Sequence, residues 1–347
     1  MTRAVILLNL GTPAEPTAKG LRDFYRYFFA DPYVFDINPV GRWLLRNLII
    51  QPFRAPRTAR DYETIWMEDG SPLKVYSDRL QQDLQSRFAD EDADVLVVNG
   101  MAYSAPMIHD SMAVLREQGI RDILVVPLFP QYSTATTASV FHGVKEAAGQ
   151  WGEAPRLEFV NDLYDEASFI RAWGKLITRH IADGEIDHLV FSYHGLPESN
   201  LRKADSSNTC RFDSCCDQIT DSNRLCYRAQ CFATTRSIME HLDLPAENHS
   251  VAFQSRFGRQ EWIKPYLEQH LQDLLAQGKK RVAVATPSFV SDCLETLHEI
   301  GVEYREGFIE AGGEELLLIP NLNDEPAWFD AVYQIASSKL KERFGEG

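Results

Sequence analysis

LLNLGTP at residues 7–13 and FSYHGLP at residues 191–197 are built alike: a short apolar run breaks into a turn that holds glycine and proline. The likeness continues downstream, where VVPLFPQYS (125–133) and VAVATPSFVSD (282–292) each carry an apolar run into proline and then a polar turn. Runs apolar on both faces read as strands of a buried parallel sheet, and they recur at 4–10, 94–99, 123–129, 157–160, 189–193, 250–254, 281–286 and 315–319. Helical patterns lie between them, at 108–118 before Gly119 and at 262–277 before Gly278, with another at 328–343. Strands alternating with helices predict an α/β chain with parallel sheets flanked by helices. The repeated turn predicts two similar lobes, 1–155 and 156–325, with 326–347 a terminal helix packing back on the first. Ligands of open α/β sheets bind beyond the carboxyl ends of the strands, so residues just after these runs are the first candidates for function.

Composition narrows the classes. The 347 residues carry 50 Asp and Glu against 35 Lys and Arg, a net charge of −15, and are 44% hydrophobic and 11% aromatic. Such a chain fills a core and is not disordered. The acidic balance argues against a nucleic-acid partner, because phosphate binding needs clustered basic residues. A few local arginines still suffice for a small anionic ligand. No apolar run approaches the roughly 20 residues needed to span a bilayer, and no small-residue cleavage site follows the first run. A cytoplasmic protein is expected, with peripheral contact at the inner membrane face as an option. The aromatic stretch YRYFFADPYVF (25–35) could form an apolar lip or lie in the core.

Several residues stand where chemistry is expected. His194 follows a strand and precedes a turn, where imidazole can take a proton or bind a metal, or simply be a satisfied turn residue. Asp292, Glu295 and Glu299 are spaced i, i+3, i+7, which on an α-helix puts three carboxylates on one face, with His298 beside them. That stripe suits a hard cation or a proton path, and equally a solvated face. Arg54, Arg57 and Arg60, spaced by three, offer guanidinium forks for carboxylates or plain surface charge. Two stretches, 49–72 and 201–231, interrupt the pattern and read as long loops. The second holds five of the six cysteines, Cys210, Cys215, Cys216, Cys226 and Cys231, within 22 residues. Thiols so dense in a reducing compartment point to an Fe–S cluster, structural zinc or free thiols; the short C-x₂-C knuckles common in zinc sites are absent.

Taken together, the segments resemble ferrochelatase over nearly the whole chain: LLNLGTP, WMEDGSPL (66–73), LFPQYSTATT (128–137), SYHGLPE (192–198), FQSRFG (253–258) and FVSDCLETLHEI (289–300), in the family's order. The resemblance implies two Rossmann-like lobes, the chelatase fold, and a lyase that inserts ferrous iron into a porphyrin with release of two protons. It implies that His194 is the active-site histidine, Glu295 the essential glutamate, both able to meet the substrate Fe2+, and Asp292 and Glu299 the acidic residues continuing from it. It places Tyr62, Ser71, Tyr132, Trp262 and apolar Leu10 around the porphyrin, and Arg54 and Arg57 near its propionates. QSRFG and MAYSAP (101–106) are more similar to protoporphyrin-type enzymes than to the coproporphyrin type. Other tetrapyrrole metal chelatases, and a haem or Fe–S sensor without catalysis, are the alternatives. Some members carry a [2Fe–2S] cluster with ligands in a C-terminal extension; this chain ends KERFGEG without a cysteine. The resemblance therefore implies an internal version held by Cys210, Cys216, Cys226 and Cys231, with Cys215 in place of Cys216 as the alternative.

Overall fold

The computed structural model describes residues 2–345 except 36, 37, 92, 93, 183, 185 and 259. The chain divides into two compact units, one of residues 1–129, 134–162 and 324–347, the other of 130–133 and 163–323. Among the described residues, eight strands form two four-stranded sheets, each parallel throughout. The first unit holds β1 (Arg3–Asn9), β2 (Val95–Met101), β3 (Asp122–Pro127) and β4 (Arg156–Phe159), in the order β2-β1-β3-β4. The second holds β5 (His188–His194), β6 (His249–Gln254), β7 (Arg281–Ala285) and β8 (Glu315–Leu318), in the order β6-β5-β7-β8. The two orders are the same pattern, and the α/β class read from the apolar runs is the one observed.

Each central strand is apolar on both faces because helices cover both. In the first unit Ala4, Ile6, Leu8, Ile123 and Val125 pack with Met112, Leu115, Val140 and Val144. In the second Val190, Ala252, Val282 and Val284 pack with Leu267, Leu271, Leu274, Ile300 and Phe308. The turn after β1 needs glycine: Gly11 has φ +89°, and a Cβ there would stand 2.2 Å from Ser104 Oγ, the atom that accepts the Thr12 N–H. The C-terminal helix Pro326–Phe344 lies in the first unit, where Arg87 Nη1 donates to Asp330 Oδ1 at 2.6 Å and Tyr333 packs on Phe88.

Three expectations about helices and loops change. Residues 49–72 are not a loop: a π-helix, Leu45–Arg54, runs into the helix Ala55–Ile65 and a turn before Pro72–Glu91. Pro56 sits in the first turn of its helix and Pro72 is the first residue of the next, positions whose missing N–H costs nothing. The helix expected from 262 starts at Leu267. Residues 261–263 are instead pinned to 196–198, with Glu198 N donating to Glu261 O at 2.9 Å and Ile263 N to Leu196 O at 3.0 Å. In the cysteine-rich stretch, the helix Glu198–Ala204 and the start of the helix Tyr227–Met239 bracket a shorter irregular segment.

Candidate functional site

His194 is the last residue of β5, at the sheet's carboxyl edge, half-buried. Its Nδ1 lies 2.6 Å from the Gly195 carbonyl oxygen. A carbonyl only accepts, so Nδ1 carries the proton and Nε2 keeps its lone pair. Burial pulls the imidazole below its ordinary value, against the opposing pull of the Glu295 carboxylate and the Gly195 carbonyl, so it stays neutral near pH 7. The Trp262 and Phe289 rings each lie 6.3 Å from it, centroid to centroid. Gly195 makes this packing possible: a Cβ would stand 2.8 Å from the Gln254 carbonyl and 3.1 Å from Trp262 Cε3.

The carboxylates are not the α-helical stripe that their spacing predicts. Residues Leu294–Tyr304 form a π-helix with i→i+5 bonds. Glu295 and Glu299, four apart, still share a face. Asp292 stands outside the helix, before its N-cap Cys293, and is only 6% exposed. It accepts from Asn321 N at 3.1 Å and Asn323 Nδ2 at 2.7 Å, a latch on the loop after β8. Glu299 receives two bonds from Ser255, N–H to Oε1 at 2.8 Å and Oγ–H to Oε2 at 2.6 Å. Burial nevertheless raises the Glu299 carboxyl to about 7, helped by the Glu295 charge. His298 faces away along the helix, 3.9 Å from Glu303.

Positioning residues passed over in the sequence complete this edge. Ser255, at φ +64°, occupies the left-handed region that a non-glycine residue adopts only when held there. Gln254, fully buried, receives Ser192 Oγ–H at 2.7 Å and donates to the Glu295 carbonyl at 2.6 Å. Gln254 and Ser255 lie in the quoted FQSRFG run, so a signal existed. Trp262 stands beside His194, its indole donating to the Phe257 carbonyl at 3.0 Å. Tyr132 belongs to the same unit, its N–H donating to Gln230 Oε1 at 2.6 Å.

The other expected binding residues lie in the first unit. Leu10 follows β1 and packs partly buried on its core. Arg54 ends the π-helix and Arg57 lies in the first turn of the next helix, both exposed. Tyr62 packs edge-on against Trp66, centroids 6.0 Å apart. Ser71 is 1% exposed and its hydroxyl accepts the Lys74 N–H, capping the helix Pro72–Glu91. The aromatic stretch 25–35 is divided between the two readings: Tyr25 and Phe29 are buried while Tyr27 and Tyr33 are exposed, and further exposed apolar side chains follow at Val40, Trp43, Leu44, Leu48 and Phe53.

In the cysteine segment, thiol contacts run from Cys210 to Cys215, from Cys215 to Cys216 at 3.9 Å, and from Cys216 to Cys226. The Cys216 thiol donates to the Cys226 sulfur, holding Cys226 below the ordinary thiol value while Cys216 rises. Backbone N–H groups also aim at these sulfurs: Arg211 at Cys215 (3.4 Å), Phe212 at Cys210, and Arg228 and Ala229 at Cys226. Cys231 differs, being wholly buried in its helix beside the Tyr227 hydroxyl, with its thiol pushed up by burial. Among the described residues, no three His, Cys, Asp or Glu side chains converge as ligands of one metal ion.

The family model described as Ferrochelatase matches residues 2–340. A ferrochelatase of Coxiella burnetii is 41% identical over 338 residues, covering 97% of this chain and 94% of its own. Ferrochelatases of Bdellovibrio bacteriovorus (39%, covering 97% and 99%) and Legionella pneumophila (37%, covering 98% and 100%) are also similar. Among solved structures, SirB from Bacillus subtilis with Fe3+ shares the fold at TM-score 0.57 and 10% identity, covering 100% of this chain and 98% of that one. By the extent of these matches, this chain belongs to the ferrochelatase family, enzymes of the lyase class.

Proposed function

We propose that the chain inserts ferrous iron into protoporphyrin IX, the two pyrrole protons leaving as the metal enters. The observation that carries this reading is the neutral imidazole of His194, its Nε2 lone pair free beside the Glu295 carboxylate. A base that stays unprotonated at neutral pH can accept a pyrrole proton, and the same nitrogen and carboxylate can meet the incoming iron. Glu299, near 7, takes up and gives off protons around neutrality. Asp292 is the latch that fixes the start of the π-helix. Leu10, Tyr62, Tyr132 and Trp262 supply apolar and aromatic surface for the ring, Arg54 and Arg57 forked donors for its propionates, and Ser71 the turn that follows Tyr62. In an anaerobic assay, His194→Ala abolishes the conversion of the free-base spectrum to that of haem while porphyrin still quenches protein fluorescence. Turnover at the wild-type rate in that variant refutes the assignment. Competition between protoporphyrin IX and coproporphyrin III settles which ring is preferred.

Two further features join this reading. The cysteine segment carries a [2Fe–2S] cluster, supported by three successive thiol contacts, Cys210 to Cys215 to Cys216 to Cys226, and by N–H groups aimed at the sulfurs, a donor set suited to thiolates on iron. Those contacts favour Cys210, Cys215, Cys216 and Cys226, with Cys215 replacing Cys231. The Arg228 guanidinium lies against Cys216, and its buried Nε and Nη1 have no hydrogen-bond partner among the described residues, which suits a negatively charged group. Iron and acid-labile sulfide in equal amounts are expected; zinc with neither refutes it. The chain works in the cytoplasm and touches the inner membrane face through Trp43, 55% exposed, which lies between Arg42 and Arg46, and through Phe53, 75% exposed.

A further inference from the structure

The hydrogen-bond ladder between β5 and β7 stops at Phe191–Ala285, three residues short of His194. On the other side the pairing with β6 continues through His194–Gln254, and Gly195 N donates to the Gln254 carbonyl at 2.9 Å. His194 thus has one backbone N–H and one carbonyl facing a strand that has already ended. Both are satisfied by side chains. Ser288 Oγ accepts the His194 N–H at 3.2 Å, and the Tyr227 hydroxyl donates to the His194 carbonyl at 2.8 Å. Tyr227 also reaches Ser288, so the two side chains form one clasp where the missing strand residue would be.

Tyr227 is buried, and it is the first residue of the helix Tyr227–Met239. The N-cap of that helix is Cys226. Its sulfur stands before the Arg228 and Ala229 N–H groups of the first turn without closing a capping hydrogen bond, and receives the Cys216 thiol from the cysteine segment. Whatever binds the Cys226 sulfur therefore acts on the turn that aims the tyrosine. We infer that Tyr227 is a positioning residue for His194, and that through it the state of the cysteine segment sets the strand end carrying the histidine. The inference rests on the role given to His194 above; it does not depend on which group the thiols hold.

The test is Tyr227→Phe, which keeps the ring and removes the hydroxyl. With ferrous iron and protoporphyrin IX, kcat falls about tenfold while KM for both substrates and porphyrin affinity stay within about twofold, because the ring site is untouched. Amide exchange of the 189–197 peptide, measured without substrates, becomes faster. Cys226→Ser gives the same pattern, and the double variant loses no more than the larger single loss, since both act along one path. Cys216→Ser, which removes the thiol donor to Cys226, replaces Cys226→Ser should the latter not fold. Unchanged kcat and exchange in Tyr227→Phe, a kcat loss matched by lost porphyrin affinity, or single losses that multiply would each overturn the inference. A wild-type protein that does not metallate porphyrin would sink the proposed function instead, and the exchange result would still decide the clasp.

Discussion

Glu299 offers a prediction in which stability and activity move in opposite directions. Its carboxyl is raised to about 7 from a value of 4.5, chiefly by burial, with the Ser255 bonds offsetting part of the cost. A group held above its unfolded value contributes stability that is complete below the unfolded pKa and is lost as pH rises through the folded one. The window therefore runs from about pH 4.5 to 7, and above it the ionised carboxylate costs the fold at most about 3 kcal/mol, at 1.36 kcal/mol per pKa unit. Glu299→Gln keeps the shape and cannot ionise. Relative to wild type it should show no change in melting temperature at pH 4.5, and a gain growing to about 6–12 °C at pH 8, taking about 2–4 °C per kcal/mol. Metallation should fall in the same variant, because the proton acceptor is gone. Thermal unfolding followed by circular dichroism from pH 4.5 to 8 reads the difference. A pH-independent difference, or a variant less stable than wild type at pH 8, would refute the reasoning.

The opposite slope comes from the far edge of the same sheet. His188, 5% exposed, is lowered to about 4 by burial and by the nearby His270, Lys279 and His249, and it shares the Ser250 hydroxyl with His270 at 2.8 and 2.7 Å. The unfolded chain binds the proton first, so acid weakens the fold between about pH 6.5 and 4. His188→Gln should flatten that slope by up to about 3 kcal/mol in urea titrations, and an unaltered slope would count against it. Gly195→Ala, by contact with the Gln254 carbonyl and Trp262, should displace His194 and lower kcat by about tenfold or more at a stability cost of about 1–3 kcal/mol; wild-type turnover would show that the turn yields. Trp43→Ser combined with Phe53→Ser should abolish flotation with anionic vesicles while leaving turnover with soluble porphyrin intact.

The strands were legible because each is a local fact. A buried parallel strand is apolar on both faces, and LVFSY or ILVVP announces that without reference to anything distant. All eight appear within two residues of the expected ends. What escaped depends on contacts far apart in sequence. The hydroxyl of Tyr227 meets a carbonyl 33 residues earlier, and Ser288 meets an N–H 94 residues earlier, with no local pattern to announce either. The π-helix escaped for a related reason. Carboxylates at 292, 295 and 299 fit an α-helical face, but Asp292 is drawn off by Asn321 and Asn323, and only Glu295 and Glu299 remain together on the helix. The density of thiols marks the cysteine segment in the sequence, while the burial of Cys231 in its helix, beside Tyr227, has no local pattern to announce it.

Burial explains why the edge of this sheet suits the proposed reaction. In water an imidazole holds a proton more tightly than a carboxylate, by about two pKa units. Here burial moves both groups, and in opposite directions, because desolvation penalises a cation on His194 and an anion on Glu299. The histidine falls from its ordinary value and the glutamate rises to about 7, so the gap that separates them in water is closed. Glu295 lies between them electrically: its charge acts on the imidazole and on the Glu299 carboxyl alike. In the proposed reaction a proton from a pyrrole nitrogen is thus held less tightly by His194 than by a free imidazole, and more tightly by Glu299 than by a free carboxyl. That gives the proton a place to go within the same edge, which is why Glu299→Gln should slow the enzyme even though it strengthens the fold.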